Sequence, residues 1–223
     1  MAPETLAPLL PDGVELDTFG GEAWIGVVPF RMEGVMRRPF PDVPGLSAFP
    51  ELNVRTYVTL DGKPGVWFFS LDATQPVAVW AARRFFDLPY HLADMSCRDL
   101  PPELEPPGST GSGVQYGCAR LRSTARFAAR YGPASPVGRA EPESLESWLT
   151  ERYCLYARGR DGALSRAEVH HEPWPLQEAW ADIAENTMLE PTGLPPLEGA
   201  PLLHFARRLD VVVWSPERLA RSP

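Results

Sequence analysis

A chain of 223 residues with 44% hydrophobic and 22% charged residues can fill a sizeable core without disulfide or metal staples, which excludes wholesale disorder. Its 18 glycines and 26 prolines are too many for a helical bundle and suit short strands joined by tight turns. The formal net charge of -8, with no basic stripe, lacks the electrostatic footprint of a nucleic-acid binder.

No apolar run is long enough to span a bilayer, and the N-terminus has neither a basic start nor a long apolar stretch. Three scattered cysteines, Cys97, Cys118 and Cys154, form no CxxC pair and suit a reducing compartment as buried thiols. A cytoplasmic chain that avoids membranes and nucleic acid is expected.

In chain order, residues 3–12 predict a short helix or turn ending at Pro11-Asp12-Gly13. Residues 14–19 and 23–32 predict a first hairpin about Gly20-Gly21. Residues 33–50, crowded with proline and glycine, predict a long ordered loop over the surface or across a mouth. The clearest alternation follows: Leu52, Val54, Thr56, Val58 and Leu60 share one face, Asn53, Arg55, Tyr57 and Thr59 the other. Its hairpin mate, residues 66–71, is apolar on both sides, as a strand covered on both faces would be.

Residues 74–86 space Val77, Trp80, Ala81 and Arg84 at helical intervals, and Leu88-Pro89 stops the helix. The polar, turn-rich stretch 101–113 predicts a mobile hairpin loop. Strands are expected at 114–121 and 124–131, and a helix at 142–149 with an acidic first turn suited to its dipole. A hairpin about Asp161-Gly162 joins 153–158 to 163–171, and 202–214 reads as the last strand. Nine or ten strands with two or three short helices predict a mainly β fold in one domain over 1–223, either an antiparallel barrel or two packed sheets.

The chemistry is sparser. Nucleotide-binding glycine loops, HExxH and GxSxG are all missing, and neither metal nor cofactor is implied. His170 and His171, adjacent on a strand, point to opposite faces, so one is expected inside and hydrogen-bonded and the other solvated. The one lysine, Lys63, sits at a hairpin tip, which leaves Schiff-base chemistry without an internal amine. Two clusters remain. Residues 83–91 set Arg83 and Arg84 beside Tyr90 and His91 at the helix stop, as a converging polar group or as solvated arginines beside a core tyrosine. Glu51, Asn53, Arg55 and Tyr57 either line a wet interior or form an outward face with cross-strand ion pairs.

The strings VPFRM (28–32), FPELNVRTYV (49–58), GVWFFSLDA (65–73), RRFFDLPYH (83–91), ERYCLY (151–156) and HHEPWPL (170–176) together resemble the YqjF-like family of uncharacterised bacterial proteins over nearly the whole chain. Members of that family carry an extra strand-like segment before the turn matched here by Leu10-Pro11-Asp12-Gly13; against them this chain starts late, so that edge strand is expected to be lost or the start misassigned. More distantly the family resembles the acetoacetate decarboxylase fold, which implies a closed β-barrel or cone around an apolar pocket. In that superfamily a turn carries two lysines, the first forming the Schiff base. Here Asp87-Leu88-Pro89-Tyr90-His91 falls on the turn, with Tyr90 and His91 where the lysines stand.

The resemblance therefore implies a binder of an anionic or carboxylate-bearing small molecule without Schiff-base decarboxylase activity. Tyr90 and His91 are the catalytic candidates, and Arg31, Glu51, Arg55, Arg84, Tyr90 and His91 the ligand-binding ones. The competing reading is a structural or interaction module with a packed interior. A cavity of roughly 300 Å³ or more lined by Tyr90, His91 and an arginine separates the two. Self-association and the existence of a reaction stay open.

Overall fold

A computed structural model describes residues 1–34, 48–197 and 199–219. Most of the loop expected over 33–50 lies outside the described residues. Helix α1 (Pro3–Leu6) precedes β1 (Glu15–Leu16), β2 (Ile25–Met32), β3 (Phe49–Leu60) and β4 (Lys63–Ala73). Helix α2 (Pro76–Phe85) leads to β5 (Tyr90–Asp99), β6 (Val114–Arg120) and β7 (Arg126–Pro133). Helix α3 (Leu145–Thr150), capped by the Ser144 hydroxyl, precedes β8 (Cys154–Arg158), β9 (Leu164–His171) and β10 (Gln177–Asn186). The short β11 (His204–Phe205), β12 (Val211–Val213) and β13 (Glu217–Arg218) end the described chain.

The expected alternation becomes β3, joined to β4 by a two-residue turn in which Asp61 and Gly62 hold φ of 52° and 74°. Two positive φ values in sequence make the tight hairpin turn that Asp-Gly favours. The first hairpin is different from expectation. β1 and β2 do not pair with each other; both lie antiparallel on β3, at Val58–Thr59 and Phe49–Thr56 respectively. They form one interrupted edge strand, and the expected turn about Gly20 and Gly21, both at positive φ, is present between them, closed by a bridge between Phe19 and Glu22.

The sheet is also not the closed antiparallel barrel expected: among the described residues its strand pairing forks and does not return on itself. β3 occupies one edge of β4 along its length. The other edge pairs, in parallel, with β5 at Leu71–Ala73 and with β8 at Val66–Trp67. Between these stretches the β3 register shifts, leaving Phe69 as the extra residue of a bulge. A bulge bends its strand and increases the twist, which lets β4 pass from one partner to the other. One wing runs β5-β6-β7-β10-β11, the other β8-β9 with β12 and β13 on its edge. The last expected strand, 202–214, is split between the two wings: β11 ends one and β12 edges the other. Six Cα steps from Phe205 to Val211 reach at most about 22 Å, so the wing tips stay close without pairing.

The first wing curls. β6 is three strands from β3, about 14 Å in a flat sheet. Yet the Tyr116 hydroxyl on β6 donates to the Glu51 carbonyl of β3 at 2.7 Å and lies 3.1 Å from the Phe30 carbonyl of β2. The curl encloses Leu52, Val54, Ala93, Tyr116, Cys118, Phe127 and Ala129, plugged by Leu6 and Met188. The opposite face of β3 and β4 carries Tyr57 and Leu71, which pack under Leu155, Ala157 and Ala167 of the second wing and under Trp148.

Helix α2 departs from its pattern as well. Val79 is buried against Phe49 and Ala73, whereas Val77 and Trp80 face outward. The helix covers only the end of the sheet, so a single narrow stripe finds a partner. Two strands, β5 and β10, escape the sequence reading: β5 has no β-branched residue and β10 has Ile183 alone, and several residues of each are exposed, so the strand signature is weak. The stretch 101–113 connects β5 to β6, and the Gly113 N–H donates to the Glu105 carboxylate at 3.0 Å. Among the described residues no helix is long and apolar enough to cross a membrane.

Gly65 marks where the second wing meets β4. A Cβ there would stand 2.7 Å from the Cys154 carbonyl, the Cys154 sulfur and the Tyr156 ring. Gly65→Ala is expected to destabilise the fold by about 1–3 kcal/mol through this overpacking. Urea unfolding checks it, and an unchanged midpoint refutes the tight approach.

Candidate functional site

Strand pairing brings the chemistry together. Asn53, Leu71 and Tyr90 form one cross-strand row, Leu52, Asp72 and His91 the next, and Glu51, Ala73 and Leu92 the third. Successive residues of a strand face opposite ways, so Tyr90 joins Glu51 on the face beneath the second wing. His91 joins Asp72 on the face inside the curl. The expected Tyr90–His91 pair is therefore divided by the sheet, for the same reason that separates His170 from His171.

On the first face the Tyr90 hydroxyl donates to Glu51 Oε2 at 2.8 Å. Glu51 is buried, and desolvation pushes its carboxyl up to about 7. The hydrogen bond from Tyr90 works against that rise, and the charge of Asp72 adds to it. Burial also holds the Tyr90 phenol well above its ordinary value, reinforced by the neighbouring carboxylate. Around neutral pH, then, Tyr90 is a hydrogen-bond donor while Glu51 is poised between acid and base. Asn53, two residues along β3, is buried on the same face with its Oδ1 unpartnered.

On the second face Arg120 makes two parallel bonds to Asp72, both 2.7 Å, and both side chains are buried. The bidentate geometry matches the planar guanidinium fork to the carboxylate. His91 is half-buried, and burial lowers its pKa; Arg120 and Arg83 act in the same direction and Asp72 against them.

Of the six residues singled out from the sequence, the structure brings Glu51 and Tyr90 into contact and keeps Arg55 on their face of β3. His91 lies behind them. Arg31 is solvent-exposed and paired with Glu33 at 3.0 Å. Arg84 lies on the outside of α2 over the Phe85 ring, its guanidinium carbon 5.7 Å from the centroid. The arginine that does touch the turn is Arg83, whose Nε donates to the Tyr90 carbonyl at 2.6 Å. Asp72, Tyr116 and Arg120 were missed. The alternation Tyr116, Cys118, Arg120 carried the signal, because it assigns Arg120 to an inward face.

Glu51, Asn53 and Tyr57 are buried, so this row is not the outward ion-paired face that was the competing expectation. Lys63 does bind at the surface, to Glu168 at 2.6 and 2.7 Å. It lies nine residues before Asp72 on β4, roughly 30 Å away at ~3.3 Å per residue. His171 is buried against the Glu172 and Arg152 carbonyls while His170 is exposed, as expected.

Neither of the two best-formed concavities meets the cavity criterion. One, about 230 Å³, occupies the fork of β4, between Pro89 and Tyr156, with Phe69 and Arg158 on its walls. The other, about 510 Å³, is an open groove beside Glu105, Arg130 and Trp180 on the outside of the first wing.

The family model DUF2071, described as "Uncharacterized conserved protein", matches residues 1–210. The chain is 45% identical over 210 residues to "Uncharacterized protein YqjF" of Bacillus subtilis (strain 168), covering 94% of this chain and 82% of that protein. Among solved structures it is similar to acetoacetate decarboxylase from Legionella pneumophila, with a TM-score of 0.60 at 15% identity, over 98% of this chain and 80% of that one. It is similar to an acetoacetate decarboxylase-like enzyme from Sphingomonas wittichii RW1, with a TM-score of 0.58 at 13% identity, over 98% and 87% of the two chains. It is also similar to the enduracididine biosynthesis enzyme MppR complexed with pyruvate, with a TM-score of 0.57 at 14% identity, over 97% and 81%. At such identities the likeness shows the fold alone.

Proposed function

The chain belongs to the DUF2071 family, and from that premise we propose that it binds a small anionic molecule, a carboxylate, on the β3 face that carries Glu51 and Tyr90, without Schiff-base chemistry. The observation that carries this reading is a buried carboxyl pushed up to about 7 and bonded at 2.8 Å to a phenol. Burying an ionisable group that leans toward neutrality costs stability, and such groups gather where proton transfer or polar recognition is needed. On this reading the Tyr90 O–H turns from Glu51 to a ligand oxygen, and Glu51, released from that bond, takes or gives the proton that a bound carbonyl or hydroxyl requires. His91, behind the sheet, tunes the site through Asp72 and touches no ligand. Among the described residues no second ionisable amine side chain accompanies Lys63, which is engaged by Glu168.

Pyruvate, the molecule complexed with MppR, is the first probe. Calorimetric titration is expected to show saturable pyruvate binding, and borohydride treatment of the mixture is expected to add no mass to the chain. A reduced pyruvyl adduct would overturn the non-covalent reading. The competing reading, an interaction module with a packed interior, draws on the two concavities described above, neither of which is lined by Tyr90 and His91. No heat of binding with pyruvate would favour it.

A further inference from the structure

Farther along the same face of β3, three N–H donors are buried with no acceptor. Arg152 is buried; its Nε donates to the Trp148 carbonyl at 2.6 Å and its Nη1 to Asp17 at 2.5 Å, but its Nη2 has no partner. Arg55 Nε and Trp24 Nε1 are likewise buried and unpaired. Native structures rarely leave such groups unmatched, and each exception calls for a cause.

The three belong to one neighbourhood. The guanidinium carbons of Arg55 and Arg152 lie 5.8 and 5.2 Å from the centre of the same Tyr57 ring, and Arg152 also packs 4.2 Å from the Trp148 ring. Trp24 precedes Ile25, which pairs with Thr56, and it packs in the cluster that holds Tyr57. Gly26 pairs with Arg55, and its Cα lies beside the arginine stem and the Tyr57 hydroxyl, where a Cβ would stand in ordinary contact at 3.4 and 3.5 Å. Two guanidinium groups thus share one aromatic ring, while the ion pair in the group, Arg152 with Asp17, uses one carboxylate. Arg55 makes no ion pair among the described residues. Tyr57 and Arg152 are buried here, and Trp24, Arg55 and Trp148 beside them are half-exposed.

We propose that Arg55, Arg152 and Trp24 form the seat of the ligand's carboxylate, with Tyr57 as the aromatic floor between the two arginines. This rests on the binding reading above and places the ligand's carboxylate four residues along β3, roughly 13 Å, from Glu51, so pyruvate probes the carboxylate seat and a ligand that also reaches the Glu51–Tyr90 pair is longer. An oxoanion supplies acceptors to donors that no described residue satisfies and balances the Arg55 guanidinium charge. Planar carboxylate oxygens also match the geometry in which arginine N–H groups bind best.

The test uses the whole chain labelled at its tryptophan indole nitrogens, with the Trp24 signal assigned from Trp24→Phe. Addition of pyruvate is expected to move the Trp24 indole N–H resonance, and neutral pyruvamide is expected to bind at least tenfold more weakly. Arg55→Gln, whose wild-type guanidinium packs on the Tyr57 ring and makes no ion pair among the described residues, is expected to lose at least tenfold in pyruvate affinity while the melting temperature moves by no more than about 2 °C. If pyruvate binds with measurable heat but leaves the Trp24 signal still, or binds Arg55→Gln as it binds the wild type, the seat is wrong and the binding reading survives. If pyruvate gives neither heat nor shift, both fall.

Discussion

Asp72→Asn is expected to destabilise the protein by about 3–5 kcal/mol, because it leaves the Arg120 guanidinium buried without its counter-charge. In the native fold the two side chains exchange two 2.7 Å bonds, with relative exposures of 0% for Asp72 and 6% for Arg120. For a chain of this size each kcal/mol moves the melting temperature by about 2–4 °C, so the loss reads as a fall of roughly 6–20 °C. Arg120→Met leaves the complementary orphan, a buried carboxylate, and is expected to cost about as much. Replacing both partners, as in Asp72→Leu with Arg120→Met, removes two desolvation penalties together and is expected to recover most of the loss. Thermal unfolding of the four proteins checks the cycle. Single variants within about 1 kcal/mol of wild type, the usual worth of an exposed pair, would mean that water reaches the bridge.

This pair also shows where sequence and structure part company. The alternation of β3 was legible residue by residue, because period two is a local property of an extended chain. Whether its polar row faces water was not. That depends on Leu155, Ala157 and Ala167 of β8 and β9, about a hundred residues later, folding over Tyr57, and no local pattern encodes such a cover. The β6 alternation already assigned Arg120 inward, yet its partner Asp72 stands in an apolar strand whose neighbours are fixed only by the fork. The fork in turn depends on a bulge at Phe69, a residue no different in kind from Phe68 beside it. Tyr90 and His91 fell on opposite faces by the rule that had already separated His170 and His171. The family likeness drew both toward one turn; the pleat of the strand divided them. Arg152 was invisible as a donor, since its placement against the Tyr57 and Trp148 rings is a product of packing alone.

Glu51→Gln is expected to stabilise the fold at pH 8 by about 3 kcal/mol and to leave it nearly unchanged below pH 4.5. In the unfolded chain the carboxyl titrates near its ordinary 4.5; in the fold it titrates at about 7. Below both values the two states carry the same proton and the burial costs nothing through ionisation. Between 4.5 and 7 the unfolded chain releases its proton while the fold keeps it, so the native state binds more protons and its stability falls as pH rises. Above 7 the penalty is complete and constant. Glutamine fills the same space, accepts the same hydrogen bond from Tyr90, and never ionises, so the variant escapes the penalty. Tyr90→Phe works in the opposite sense: it removes the bond that favours the carboxylate and is expected to move the titration still higher. Urea unfolding of wild type and Glu51→Gln across pH 4–9 gives the difference curve directly. A residue whose removal stabilises a protein at neutral pH is retained at a cost, and that cost is the physical argument for a working carboxyl. A flat difference curve would mean that Glu51 ionises as freely in the fold as in water. The pair with Tyr90 would then have no reason to be poised, and the β3 face would be a packing surface like any other.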